Sequence, residues 1–313
     1  MKHFVSVQDI DSLEDWLQLA GEMKKNPEVF KELGKGKTLG LLFFNNSLRT
    51  RLSTQKAAFN LGLHCMTINF GKEGWALEFE DGTVMDQGKA EHVKEAARVV
   101  SQYCDIVGIR AFPSLADKEK DEAELVINGF KKYASIPVFS MESSTGHPLQ
   151  ALADMITIAE HSKKQKPKVV LSWAPHPRAL PHAVANSFVE MMQLGDSIDL
   201  HITHPEGYEL DPRITKDIPV NYDQKSALQN ADYVYVKNWS SYNNYGTVLN
   251  QDTDWMMTKE KLGDAKFMHC LPVRRNVVVE DEVLDGDQSL VLEQANNRTY
   301  ASQIVLKELL KEL

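Results

Sequence analysis

Thr38-Leu39-Gly40-Leu41-Leu42-Phe43-Phe44-Asn45-Asn46-Ser47-Leu48-Arg49-Thr50-Arg51 is an apolar run that breaks at two asparagines and a serine and resumes as an amphipathic segment over 48–61. A strand that feeds a helix through such a turn leaves the first-turn N–H groups without helical partners, at the end where the helix dipole is positive. Two arginines beside those groups would complete a pocket for an anion such as phosphate. The plainer reading makes Ser47 an ordinary N-cap, with Arg49 and Arg51 on a solvated helix face. The turn alone does not choose between them.

Working outward, β-rich apolar runs at 39–44, 65–69, 105–111 and 137–141 alternate with helix-period segments at 48–61, 91–103 and 122–133. A second series follows, with strands predicted at 169–174, 198–203, 233–237, 267–271 and 290–292, and helices at 183–194, 223–230 and 259–264. Near-continuous apolar strands suit parallel sheets covered by helices on both faces. The pattern predicts an α/β protein of two doubly wound parallel-sheet domains joined by helices. The first is expected over 1–146 and the second over 147–297, with a helix at 147–160 between the two series. A terminal amphipathic helix is predicted over 298–313; its periodicity does not say which domain it packs on, and it is assigned to the first.

The chain has 313 residues and a net charge of −9, which excludes the concentrated basic face of a nucleic-acid binder and leaves anion binding to local pockets. Cys65, Cys104 and Cys270 show neither paired nor zinc-ligand spacing, so no disulfide framework and no metal site are expected. His201 and His204, on or beside a predicted strand, read as structural. Residues 1–14 lack a signal-like start and no apolar run reaches membrane-spanning length, which predicts a cytoplasmic protein with no membrane partner.

Gly34-Lys35-Gly36-Lys37-Thr38 is not a nucleotide P-loop: Lys31 stands where the first glycine is needed, and the segment precedes its strand. No G-x-G-x-x-G follows a predicted strand, so no nicotinamide or flavin cofactor is expected. Arg110 and Glu142 end two predicted strands, and ligands of open α/β sheets gather at that edge. Ser143-Ser144-Thr145-Gly146 then leads into His147 and Gln150, three apart on one helix face. For His147 alone, a packing role at a helix start remains the rival of a catalytic one.

These segments carry a resemblance. Ser47-Leu48-Arg49-Thr50-Arg51 resembles the S-x-R-T-R carbamoyl-phosphate motif of the aspartate and ornithine carbamoyltransferase family, His147-Pro148-Leu149-Gln150-Ala151-Leu152-Ala153-Asp154 its H-P-x-Q-x-L-A-D motif, and His269-Cys270-Leu271-Pro272 its H-C-L-P motif. The resemblance covers essentially the whole chain. It implies the carbamoyltransferase fold, an interdomain cleft, and a homotrimer with sites at subunit boundaries. It also implies that residues 47–51 and the late arginine Arg298 take the phosphate, and that Arg110 bridges phosphate and carbonyl oxygen. His147 would donate to that oxygen, while Gln150 and the Leu271 carbonyl hold the carbamoyl NH2. Cys270 would orient or deprotonate the attacking amine, with a small hydrophobic role as its alternative. Trp75, in a loop that reads as exposed, would reach a neighbouring subunit's site.

The acceptor is read from departures within the family. Val236-Lys237-Asn238-Trp239-Ser240-Ser241-Tyr242 stands where ornithine-specific members carry D-x-x-x-S-M-G, and a lysine there suits a carboxylate better than a free ammonium. Trp173-Ala174-Pro175-His176-Pro177-Arg178 resembles the acylornithine branch. Members acting on the acetylated amino acid tend to carry glutamate at the position of Ala90 and lysine at that of Val278. Those acting on the succinylated one typically carry proline at the former, so Ala90 matches neither fully. Loss of bulk and negative charge at Ala90 favours a succinyl group. Arg178, with His176 beside it, is expected to meet the succinyl carboxylate, Lys237 the α-carboxylate, and Glu142 the acylated nitrogen or δ-amine.

Overall fold

In the computed structural model, which describes residues 1–249 and 252–313, the run that opens at Thr38 is a strand with Leu39, Leu41, Leu42 and Phe43 buried. It belongs to a first unit of Met1–Ser114, Glu119–Leu149 and Arg298–Leu313. Its strands are β1 (His3–Phe4), β2 (Thr38–Phe43), β3 (His64–Asn69), β4 (Leu77–Glu78), β5 (Glu91–His92), β6 (Ile106–Arg110) and β7 (Val138–Glu142). The main sheet has the order β1-β7-β6-β2-β3, every pair parallel, while β4 and β5 form a small ladder of their own. Val107, Ile109 and Val138 of the sheet pack with Val93, Ala96 and Ala97 of the helix Val93–Tyr103 and with Ile127 and Phe130 of the helix Leu125–Tyr133. A Cβ at Gly108 would enter the Phe139 ring, so the close approach of β6 and β7 requires glycine there.

The second unit comprises Leu115–Lys118 and Gln150–Asn297. Its strands are β8 (Lys168–Trp173), β9 (Asp199–Thr203), β10 (Val220–Asn221), β11 (Tyr233–Lys237) and β12 (Lys266–Met268), in the parallel order β10-β9-β8-β11-β12. Val170, Val234, Val236 and Phe267 build its core with Leu262, Val279 and Val283.

Both sheets reverse their winding in the middle. From β2 the chain moves outward to β3 and later returns on the other side as β6; from β8 it moves to β9 and returns as β11. The carboxyl ends of such neighbouring strands open the crevice in which α/β sheets hold ligands. The turn 44–51 and Arg110 lie at the first of these points, and His176, Arg178 and Lys237 follow from the second.

Two predicted strands need correction. Residues 290–292 are not a strand: Val291 starts the helix Val291–Leu310, and only a bridge from Phe267 to Ser289 precedes it. Three apolar residues fit either period, and the helix-compatible stretch after them decides. The strand expected over 267–271 ends at Met268, because Leu271 takes φ 54°, outside the extended region. The structure adds the helix Leu13–Lys25, whose signals are plain in retrospect: Ser12 caps Asp15 N–H at 3.3 Å, acids fill the first turn and lysines the last. Among the described residues no helix is long and apolar enough to cross a membrane.

Candidate active site

In the turn after β2, Ser47 acts as a cap. Its Oγ accepts from Thr50 N–H at 3.3 Å, as a cap does, and the helix Arg49–Asn60 follows at once. Arg49 and Arg51 lie in different surroundings. Arg51 is exposed and lines a cavity of about 450 Å³ with Ser47, Leu48, Asn69 and Lys72. Arg49 is half-buried, and its charge bears on Arg110. Thr50 is buried and accepts a 2.6 Å bond from Arg298 Nη2, which brings the late arginine to the turn.

Arg110 is the hub of this cluster. Its Nη1 donates to the carbonyls of Asn45 (3.1 Å) and Asn46 (2.7 Å), its Nε and Nη2 to Glu142 Oε2 (3.2 and 3.1 Å), and its plane lies 4.0 Å from the Phe112 ring centre. Burial pulls the guanidinium below its usual range, Glu142 opposes that, and Arg49 adds to it. The same Glu142 oxygen is 3.7 Å from His147 Nε2. Glu142 therefore orients the arginine and faces the histidine, a task its place at a strand end did not reveal. The loop before His147 is held by Glu124, which was not singled out in the sequence: its carboxylate accepts from Ser143 Oγ, Ser144 N–H, Thr145 N–H and Thr145 Oγ1 at 2.6–3.2 Å.

In the second unit, Gln150 is buried and its Nε2 donates to Asp154 Oδ1 at 2.7 Å. The same oxygen accepts from Gln294 Nε2 at 2.9 Å, and Gln294 Oε1 accepts from His269 N–H at 2.9 Å. His269 Nδ1 in turn accepts from Leu271 N–H at 2.8 Å, which secures the left-handed Leu271. Gln150 and the Cys270-Leu271 pair are thus joined through one buried carboxylate. Cys270 is half-buried.

The acceptor candidates form a basic cluster with a neutral centre. His176 Nδ1 lies 2.9 Å from the Arg178 carbonyl and 3.1 Å from the Arg178 backbone nitrogen, and Nε2 accepts from Arg274 Nε at 3.1 Å. Burial lowers its pKa, with Arg274, Lys237 and Arg178 pushing the same way against the Arg178 backbone. Arg274 is a residue sequence reasoning missed; its nearness to His-Cys-Leu-Pro in sequence was the available signal. Val278 is wholly buried in this unit's apolar core.

Trp75 and Ala90 are brought together on a separate exposed clasp. Ala90 N–H donates to the Ala76 carbonyl at 3.1 Å beside the β4–β5 ladder, Trp75 Nε1 donates to Glu91 at 2.8 Å, and Lys89 Nζ pairs with Glu78. Trp75 is 57% exposed, consistent with a side chain presented outward.

The chain is similar to known proteins along its whole length. The carbamoyl-P binding domain of aspartate/ornithine carbamoyltransferase matches residues 2–160, and its Asp/Orn binding domain matches residues 181–309. An N-succinylornithine carbamoyltransferase of Bacteroides thetaiotaomicron is 49% identical over all of both chains. An N-acetylornithine carbamoyltransferase of Xanthomonas axonopodis pv. citri is 36% identical over 99% of this chain and 96% of its own. A crystal structure of a glutamate-to-alanine variant of N-acetyl-L-ornithine transcarbamylase, complexed with carbamyl phosphate and N-succinyl-L-norvaline, superposes with a TM-score of 0.91 at 34% identity, covering 99% of this chain and 100% of that one. With both family domains in order and full-length similarity at this level, the chain belongs to the aspartate/ornithine carbamoyltransferase family.

Proposed function

We propose that the protein transfers the carbamoyl group of carbamoyl phosphate to the δ-amine of N-succinyl-L-ornithine, giving N-succinyl-L-citrulline and phosphate, a step of arginine biosynthesis. The observation that carries the reading is Arg110, fixed by the Asn45 and Asn46 carbonyls and by Glu142 beside the anion-binding turn and His147. Phosphate meets the turn 47–51, Arg49 and Arg298; the carbonyl oxygen meets Arg110 and His147; the NH2 meets Gln150 and the Leu271 carbonyl. The δ-nitrogen attacks the carbonyl carbon, the bond to the phosphate oxygen breaks, and the departing phosphate takes the proton that the nitrogen loses. Donors preplaced on the oxyanion supply the rate. The amine must be neutral to attack, and Cys270 orients it.

The acceptor reading is supported by the cluster of Arg178, Arg274 and Lys237 around neutral His176, three cations for the two carboxylates of succinylornithine. Acetylornithine brings only one. Each charge-assisted bond is worth about 1.5–3 kcal/mol, enough for one or two decades of discrimination. Ala90 adds room without negative charge, and the solved glutamate-to-alanine transcarbamylase variant holds a succinylated ligand. The 49% identical relatives named for succinylornithine support the same choice. Initial rates with succinyl-, acetyl- and free ornithine test it: higher kcat/KM for acetylornithine would reject succinyl as the acceptor.

We further propose a homotrimer in which Trp75 reaches a neighbouring site. Leu48, just before the helix Arg49–Asn60, and Phe59 on it are each 69% exposed, Leu52 on the same helix is exposed, and the edge strand β3 exposes Met66 and Ile68. Exposed apolar side chains of this kind suit contact with another copy. Light scattering should give three times the chain mass, and a monomer would exclude the assembly. The three cysteines are free thiols, which suits a reducing cytoplasm.

A further inference from the structure

Asp154 is wholly buried, yet it touches no reacting group in the scheme above. Its Oδ1 takes two amide donors at once, Gln150 Nε2 at 2.7 Å and Gln294 Nε2 at 2.9 Å. An ionised carboxylate only accepts, so each glutamine must turn its nitrogen toward it and its oxygen away. For Gln294 the consequence is visible, since its Oε1 accepts from His269 N–H at 2.9 Å. His269 then holds Leu271 N–H at 2.8 Å. Tyr235 closes the cluster: burial, the negative charge of Asp154 and the nearby Cys270 push its ionisation well above the ordinary range, so it stays a neutral phenol.

We propose that Asp154 is a positioning residue that fixes the Gln150 amide so that its oxygen accepts the carbamoyl NH2, and that, through Gln294 and His269, sets the Leu271 carbonyl that accepts the same group. One buried charge thereby orders both acceptors of a planar NH2. The proposal rests on the carbamoyl-phosphate reading. An asparagine at 154 would offer its own NH2, allow Gln150 to flip, and set a donor against a donor.

The test uses the full-length protein and two stable ligands of one shape, phosphonoacetamide and (2-oxopropyl)phosphonate, in which a methyl group replaces the NH2. The wild type is expected to bind the amide more tightly. Asp154→Asn should weaken the amide about tenfold, the worth of one hydrogen bond of about 1.4 kcal/mol, and leave the ketone within about twofold. A parallel loss of both ligands would mark a general structural defect and overturn the proposal, as would an amide preference that survives the substitution. A wild type that binds neither ligand would overturn the carbamoyl-phosphate reading and this inference with it. Should Asp154→Asn fail to fold, Gln294→Leu is measured with the same pair. A fall of about threefold in the amide-to-ketone ratio supports the positioning chain, a loss well within one hydrogen bond; an unchanged ratio overturns it.

Discussion

Arg110 commits four of its five N–H groups to the protein and keeps one Nη2 hydrogen for a ligand. Lysine keeps the charge but cannot bond two turn carbonyls and Glu142 together. Arg110→Lys should therefore lower kcat by about 10² to 10³, the usual cost of one oxyanion donor, with a smaller change in KM for the acylornithine. Steady-state kinetics check it; a variant within about threefold of wild type would remove Arg110 from the oxyanion site, since that is far short of a lost donor. The acceptor cluster makes a second residue-scale prediction. Arg178→Ala and Arg274→Ala should each cost more with succinylornithine than with acetylornithine, by about one decade, because only the former loses a paired carboxylate. Equal losses with both acceptors would take the residue out of acyl recognition.

At the scale of elements, the loop 143–146 is held by the carboxylate of Glu124 and the β4–β5 clasp by those of Glu78 and Glu91. Glu124 accepts four bonds from the loop that delivers His147, and it stands at φ 50°, where a side chain other than glycine is disfavoured. Glu124→Ala should destabilise the first unit by about 1–3 kcal/mol and reduce kcat, as the loop's donors lose their partner. Denaturant unfolding and kinetics on the same sample test both, and unchanged values would make the loop self-supporting. The clasp depends on Glu78, whose pKa falls to about 2 through the Glu80 N–H, then Lys89 and the Phe79 N–H. A depressed carboxylate stabilises above its unfolded value, near 4.5, and that contribution is lost as pH falls toward 2. Acid should thus free Trp75 before the sheets melt, visible as a fluorescence change that Glu78→Gln shifts or abolishes.

For the whole molecule, two pH dependences run in the same direction for different reasons. His204 is buried, and burial lowers its pKa despite the Pro205 carbonyl and Glu209. Its neutral form is the folded one, so stability is full above about 6.5 and is lost as pH falls through the lower folded value. Tm should decline below that pH, and His204→Gln should flatten the decline. Activity should rise further into the alkaline range, because an alkylamine of pKa near 10.4 costs about 4 kcal/mol to deprotonate at about pH 7.5. A kcat independent of pH between about 7 and 9 would mean that chemistry is not the slow step.

The α/β alternation and the turn 38–51 were legible because apolar period, glycine and asparagine punctuation and first-turn chemistry are local. So were Arg110 and His147 as strand-end and helix-start residues. The short strands β1, β10 and the β4–β5 pair were not, since two residues carry no period. Residues 290–292 misled for a related reason: three apolar residues support strand and helix alike. Which side chains meet was decided only by tertiary structure. Glu142 on Arg110, Arg274 on His176, and Asp154 between Gln150 and Gln294 are pairs separated by 4 to 140 positions. Most are brought together by sheet order, which no local pattern encodes. The sequence by itself determined the kind of fold and the chemical types at its strand ends; the folded chain determined their partners, because hydrogen bonds inside a protein are chosen by proximity in space.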